Sequence, residues 1–461
     1  MKRMLGVKAV LILLAIVGCS SESKAETLNV GQDNQARFSS ITAAIRAARP
    51  GDTILIGQGT YVEQVVLDRT LTLEGVNKPV VRGSGRGSVI IVLAPACTIR
   101  GIVVQHCGSE LQNEDSGILL KSRGNRVEDN ELSDVLFGIY LFQSAENTIR
   151  GNTIRGRKNL DTGDRGAGLH FYSSPDNTIE DNVVTEERDG MYIQNSPGNK
   201  IRRNRVSNLR YGLHYMYSDA NVFEDNVFSN NMAGAAIMYS NRIVFRRNAF
   251  IHNRGYSSFG ILFQDCNDCI AEGNFIIDNT VGLFMEAIRR SAFRNNVIAG
   301  NDVAIEMFAS AADNVFAENN FVENISPLHL VGRTTTTRWA SEGRGNFWSD
   351  YDGYDLDGDG VGDVPHKVQN VFEYMEGNHP RLRLYLLSPA AQALAVAEKT
   401  LPVVRGSSEA DPAPLVKATE IKFPFAERKT GRTERVPLLL VSLFMVGAGL
   451  LLVVSAQRRA G

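Results

Sequence analysis

Apolar and polar residues alternate over short runs through the middle of this chain, and Gly, Asn and Asp separate the runs. That pattern predicts short strands joined by tight turns. The runs also repeat. "NRVEDNEL" at 125 is followed by "NTIRGNTI" at 147, "NTIEDNVV" at 177, "NKIRRNRV" at 199 and "NVFEDNVF" at 221. Later copies drift to "IVFRRNAF", "CIAEGNFI", "SAFRNNVI" and "NVFAENNF". The sixth residue of every copy is Asn, from Asn130 to Asn319, and an apolar residue follows two places later.

The spacing is mostly 22 residues. Repeats of this size cannot bury their own apolar face, so they stack into a solenoid. Strand-only repeats make a parallel β-helix, here expected to be right-handed and to span 76–330. Asparagines in one column can then hydrogen-bond from coil to coil. The step from Asn147 to Asn177 is longer, and "RKNLDTGD" at 157–164 is expected to project as a loop.

Nine residues before its Asn motif, each coil carries a second strand beginning with Gly, such as "GIYLF" at 138 and "GLHYM" at 212. Positions one and three after this Gly should point in, and two and four out. The outward columns are then Tyr140, His170, Tyr192, His214, Ala236, Leu262, Phe284 and Phe142, Tyr172, Gln194, Met216, Met238, Gln264, Glu286. A contiguous uncharged, aromatic surface of this kind marks a binding face. His170 and His214 are two coils apart, hence ~10 Å apart, too far to share one ion. His214, Met216 and Met238 lie closer and form a soft donor set suited to Cu(I). The face therefore reads as copper-binding or partner-binding. No convincing carboxylate pair for acid–base chemistry is evident on it; only Glu286, with Glu306 nearby, qualifies.

At the start, Ser39 and Ser40 can cap a short amphipathic helix, stopped by Pro50-Gly51, that plugs the open end of the solenoid. Residues 26–75 would hold this cap and the first coils. At the far end, 331–387 would form a C-terminal cap holding "YDLDGDGVGD". Asp355, Asp357, Asp359, the Val361 carbonyl and Asp363 match positions 1, 3, 5, 7 and 9 of a calcium loop. His366 stands where that pattern needs a bidentate Glu. Such hard ligands suit a structural Ca²⁺ and do not suit copper.

The two ends differ from the body. Residues 1–25 read as a secretion signal, with Lys2 and Arg3 before an apolar run. Two processing sites compete: a lipobox-like "IVGC", which would lipidate Cys19, and "SKA" before Glu26. Residues 437–456 are uncharged and about one bilayer long, and Arg458 and Arg459 follow within a short cytoplasmic tail, 457–461. Pro-, Ala- and charge-rich residues 388–436 read as a tether. The net charge of −2 gives no sign of nucleic-acid binding. "CNDC" at 266–269 has metal or redox spacing, but Cys269 occupies the first-Asn position of its repeat and Cys97 the matching place in an earlier coil. The pair reads as structural.

The string "GNFWSDYDGYDLDGDGVGDVPH" at 345–366, with the Asn-rich repeats and plug-like start, resembles the NosD family over about residues 26–390. The family comprises periplasmic accessory proteins for maturation of nitrous oxide reductase. The resemblance implies a non-enzymatic docking subunit of an ABC-type complex, working with a NosY-like permease and a NosF-like ATPase. It implies as partners the apo-reductase and a NosL-like copper chaperone, with copper as a transient cargo. It supplies no copper ligands. The alternative class is an extracytoplasmic carbohydrate-active β-helix enzyme, an epimerase or lyase.

Overall fold

The computed structural model describes residues 25–32, 36–332, 334–369, 409–422 and a few positions between 382 and 394. Cys19, the signal segment and 437–456 lie outside the described residues. Among the described residues no helix is long and apolar enough to cross a membrane.

The short strands stack into three parallel sheets of 13, 12 and 13 strands, and the coil winds right-handed. One coil shows the plan. Tyr211–Met216 belongs to the 12-stranded sheet, Val222–Glu224 to one 13-stranded sheet and Val227–Ser229 to the other. Each strand pairs in register with its counterpart one coil on, as in His214 with Ala236 and Met216 with Met238. Apolar side chains therefore stack in columns along the interior. Phe223 lies 4.8 Å from Phe245 and Phe293 4.5 Å from Phe316, ring centroid to centroid. Offset stacking at these distances adds to the burial of each ring.

The asparagines occupy the turns. In one column, from Asn152 to Asn346, each Oδ1 accepts from both the backbone N–H and the side-chain amide of the Asn one coil before. Asn204 donates both ways to Asn226 at 3.0 Å, and its Nδ2 also reaches the Ile179 carbonyl. This ladder runs from Asn130 to Asn346, all buried. It satisfies turn groups that the sheets leave unpaired. The residue before each ladder Asn from Asn130 to Asn319 takes a positive φ, as Asp181, Arg203 and Asp225 do. This is why Asp, Asn, Gly and Arg recur there rather than branched residues.

The N-terminal plug forms over Ile41–Ala47. Ser40 Oγ accepts from Ala43 N, and Glu63 accepts from Ile41 N and Thr42 N. Ile41, Ala44 and Ile45 face the first coil and are buried. At the other end, part of the 388–436 segment expected as a tether is not free. Residues 409–421 lie across the last coils, where Ala410–Asp411 pairs with His366–Lys367 and Thr419 N donates to Asn320.

Candidate functional site

The alternation rule places the expected columns on the outside of the 12-stranded sheet, while Leu213 and Tyr215 on the same strand are buried. Their exposure, however, is uneven. Tyr140, His170 and Ala236 are buried, at 4, 7 and 4 %. Phe137 packs 5.3 Å and Tyr140 4.5 Å from the His170 ring, and Glu114 hydrogen-bonds Tyr140. The expectation of one continuous exposed face is therefore corrected: a turn near Leu111–Asn113 helps close its upper half. His170 sits beneath that cover with Nδ1 unpartnered. Burial, and then the Arg188 charge, lower its pKa to about 3.

The lower half stays accessible. Tyr192 stands between the two histidines, 4.9 Å from each ring. Tyr172, Tyr192, His214, Met216 and Met238 are all half-buried. Met216 and Met238 are register partners on adjacent strands. One residue further, Tyr217 and Tyr239 stack at 5.1 Å and are 53 and 41 % exposed. The open half is thus a Tyr–His–Met surface, with Gln194 in register between Tyr172 and Met216.

Sequence reasoning missed Asp189. The residue before the strand Gly also reaches the outer face, because Phe137, Tyr211 and Phe259 pack against His170, His214 and Phe284. This column is apolar in Phe137, Ala167, Tyr211, Ala233, Phe259 and Val281, but it holds Asp189 in one coil. That single break was the available signal. Asp189 is completely buried and pairs with Arg210 at 2.9 Å, Arg188 at 3.4 Å and His214 Nδ1 at 3.2 Å. Burial alone would raise its pKa, but the bonds and charges of His214 and Arg210 hold it below the usual carboxylate range. So the face does carry a carboxylate with arginines, which the sequence reading had not found. Enclosed and saturated, it is poorly placed to act as a base toward a substrate. Glu286 and Glu306 stand in different columns and pair with Gln264 and His329.

Glu187 is fully buried beside this cluster with neither oxygen bonded, and burial raises its pKa well above normal. The Cys266 and Cys269 thiols are free and buried. Cys269 N donates to Ser291 Oγ as Asn125 N donates to Asn147 Oδ1 and Asn177 N to Asn199 Oδ1, so Cys269 does stand in the column of the first asparagines.

In the acidic loop, one oxygen each from Asp355, Asp357 and Asp359 lie within 4.8 Å of one another. Asp363 is not in that group; its Oδ2 accepts from Leu356 N at 2.7 Å. Val361 forms a bridge with Leu415. His366 is buried against Trp348 and Tyr351, turned to packing rather than to the loop.

Comparison with known proteins places this geometry. The family described as periplasmic copper-binding protein (NosD) matches residues 156–353, and a domain family of unknown function (DUF1565) matches 70–200. The chain is 36 % identical to the "probable ABC transporter binding protein NosD" of Pseudomonas aeruginosa, over 78 % of this chain and 87 % of that one. It is 34 % identical to the NosD of Stutzerimonas stutzeri, over 78 and 85 %. Among solved structures, the A-module of the mannuronan C-5 epimerase AlgE4 of Azotobacter vinelandii superposes with TM-score 0.52 at 15 % identity, over 68 % of this chain and 99 % of that one. At that identity the likeness is one of fold. The named relatives are binding proteins, and the region matched as copper-binding contains the whole open Tyr–His–Met surface. The chain belongs to the NosD family.

Proposed function

We propose that this protein is the periplasmic docking subunit of an ABC-type complex that assembles the copper centres of nitrous oxide reductase. In this reading it receives the apo-reductase, a copper chaperone, or both on the open half of the 12-stranded sheet. A NosY-like permease and a NosF-like ATPase complete the complex. Residues 437–456, and a lipid on Cys19 if the lipobox is used, hold it to the inner membrane. The observation that carries the reading is the half-buried Tyr–His–Met surface formed by Tyr172, Tyr192, His214, Met216 and Met238, which lies inside the matched region.

Copper is cargo here. The register pairing of Met216 with Met238, and His214 two residues from Met216, supply thioethers and an imidazole, the donors that suit Cu(I). The Asp355–Asp357–Asp359 group is hard and distant in sequence; it serves as a structural Ca²⁺ loop. The test is deletion of the gene in a denitrifying host, followed by copper analysis of purified nitrous oxide reductase. The expected product is a copper-poor enzyme. A fully loaded one would end the proposal.

A further inference from the structure

The Asp189 carboxylate lies at 0 % exposure in a column where its register partners on the two adjacent coils are Ala167 and Tyr211. Burying a charge at such a place costs several kcal/mol unless partners compensate. Two arginines already compensate: Arg210 with Nε at 3.1 Å and Nη2 at 2.9 Å, and Arg188 at 3.4 Å. The carboxylate nevertheless spends Oδ2 on a third group, His214 Nδ1 at 3.2 Å. A purely structural ion pair has no need of that contact.

We infer that Asp189 is a positioning residue that presents the Nε2 lone pair of His214 to a soft metal. An ionised carboxylate can only accept, so the His214 nitrogen facing it must carry the proton. That fixes the tautomer, and it leaves Nε2 as the nitrogen able to coordinate. A hydrogen bond from the distal ring nitrogen to a carboxylate also raises the basicity of a metal-binding imidazole and fixes its plane. The ring is held further by edge contacts with Tyr192 at 4.9 Å and 86° and with Tyr211 at 5.0 Å and 61°. Only small rotations remain. Arg188 and Arg210 are about one-third exposed or less, so they anchor the carboxylate from the rim without entering the interior. The full arrangement is Arg–Asp–His, with the outer two members of the donor set, Met216 and Met238, following on the same and the next strand.

This inference rests on the reading of His214, Met216 and Met238 as a copper contact. The test keeps the two apart. Full-length protein in detergent is titrated with Cu(I) alone, in competition with a chromophoric chelator, and the bound metal is examined by X-ray absorption. Met216→Leu with Met238→Leu tests the contact itself; Asp189→Asn tests the positioning. The Asn variant should bind Cu(I) roughly 10–100-fold more weakly and lose the imidazole contribution to the absorption spectrum while retaining sulfur scattering. If Asp189→Asn destabilises the coil, the double variant Asp189→Asn/Arg210→Gln removes the unpaired cation and is measured instead. Weakened binding in the Met variant together with wild-type affinity and imidazole scattering in the Asn variant overturns the positioning role alone. Unchanged binding in the Met variant overturns the copper contact and the positioning role together.

Discussion

Asp411 ends the asparagine ladder: its Oδ2 lies 2.7 Å from the backbone N of Asn346, which precedes it by 65 residues. The same oxygen accepts from Trp348 Nε1 at 2.9 Å, and Oδ1 accepts from Ala413 N at 3.0 Å. A segment far along the chain thus supplies the acceptor that a next coil would have supplied. Replacing Asp411 by Ala strands several buried donors, each worth about 1–3 kcal/mol when left unpaired. Asp411→Ala should therefore unfold the C-terminal coils early, seen as Trp fluorescence changing at lower urea than in the wild type. Asp411→Asn keeps an acceptor and should cost only about 1 kcal/mol. Equal midpoints for Ala and wild type would show that the strap is not bearing on the ladder.

Most of this architecture was legible beforehand, because a 22-residue period with Asn in one column admits few folds. Two features were not. A further asparagine column, Asn231, Asn253, Asn279 and Asn301, runs through the later coils with amide contacts of 2.9–3.2 Å. Earlier coils carry Leu209 and Glu187 in its place, and the interruption hid the column. The second feature is burial of the outer face. Alternation tells which way a side chain points. It does not tell what a turn many residues away lays over it, as the Glu114 turn does over Tyr140. The same limit concealed Asp189, whose partners come from two coils.

His170 makes stability depend on pH in a defined direction. Burial holds its folded-state pKa at about 3, below the ordinary value of 6.5. The unfolded chain therefore takes up a proton first, and the stability present above about pH 6.5 is lost as pH falls toward 3. The slope contributed is about 1.4 kcal/mol per pH unit inside that window. His170→Phe preserves an aromatic ring between Tyr140 and Tyr192 and removes the titrating group. Melting curves between pH 7 and 4 should fall more gently for this variant. Parallel curves would assign the acid sensitivity to other groups.

Cys266 and Cys269 should be dispensable as thiols. Cys266 continues the serine column of Ser196, Ser218 and Ser240, in which each Oγ accepts from the backbone of the coil before. Its neighbour Cys269 and burial together push the Cys266 thiol pKa up, which suppresses the thiolate. The Cys266→Ser/Cys269→Ser variant is expected to support reductase maturation at the wild-type level and to melt within ~1 kcal/mol of it. In the native protein, neither thiol should react with iodoacetamide on the time scale of an exposed cysteine. A maturation defect in the double variant would give "CNDC" a role beyond packing.

The acidic loop predicts a calcium effect confined to the C-terminal cap. Asp355 accepts from Gly358 N at 2.7 Å and Gly360 N at 3.0 Å, so the turn is shaped by its own backbone. A bound Ca²⁺ would add to that order by neutralising three converging carboxylates. Millimolar Ca²⁺ should raise the melting temperature by a few degrees, and Asp357→Asn should abolish the rise. Hydrogen exchange ought to slow over 354–363 and leave the coils at 177–226 unchanged. No response to Ca²⁺ in either measurement would leave the loop as a glycine-rich turn.

The last prediction concerns docking apart from copper. Tyr217 and Tyr239 stack beside the Met216–Met238 pair, and they are exposed where Tyr140 and His170 are covered. Exposed stacked tyrosines offer a large, rigid contact area at little entropic cost. Both occupy positive-φ turn positions, at 51 and 52°, where Ser or Asn can substitute without disturbing the interior. Tyr217→Ser/Tyr239→Ser should leave the melting temperature and Cu(I) affinity unchanged and weaken binding of apo-reductase or chaperone. If the pair acts as an interface hot spot, the loss is about 2 kcal/mol, roughly thirtyfold in Kd. Met216→Leu/Met238→Leu should show the converse, with docking retained and copper affinity reduced. That double dissociation separates a surface that holds a partner from donors that hold its cargo. Identical losses in both variants would mean that docking and metal transfer use one indivisible contact.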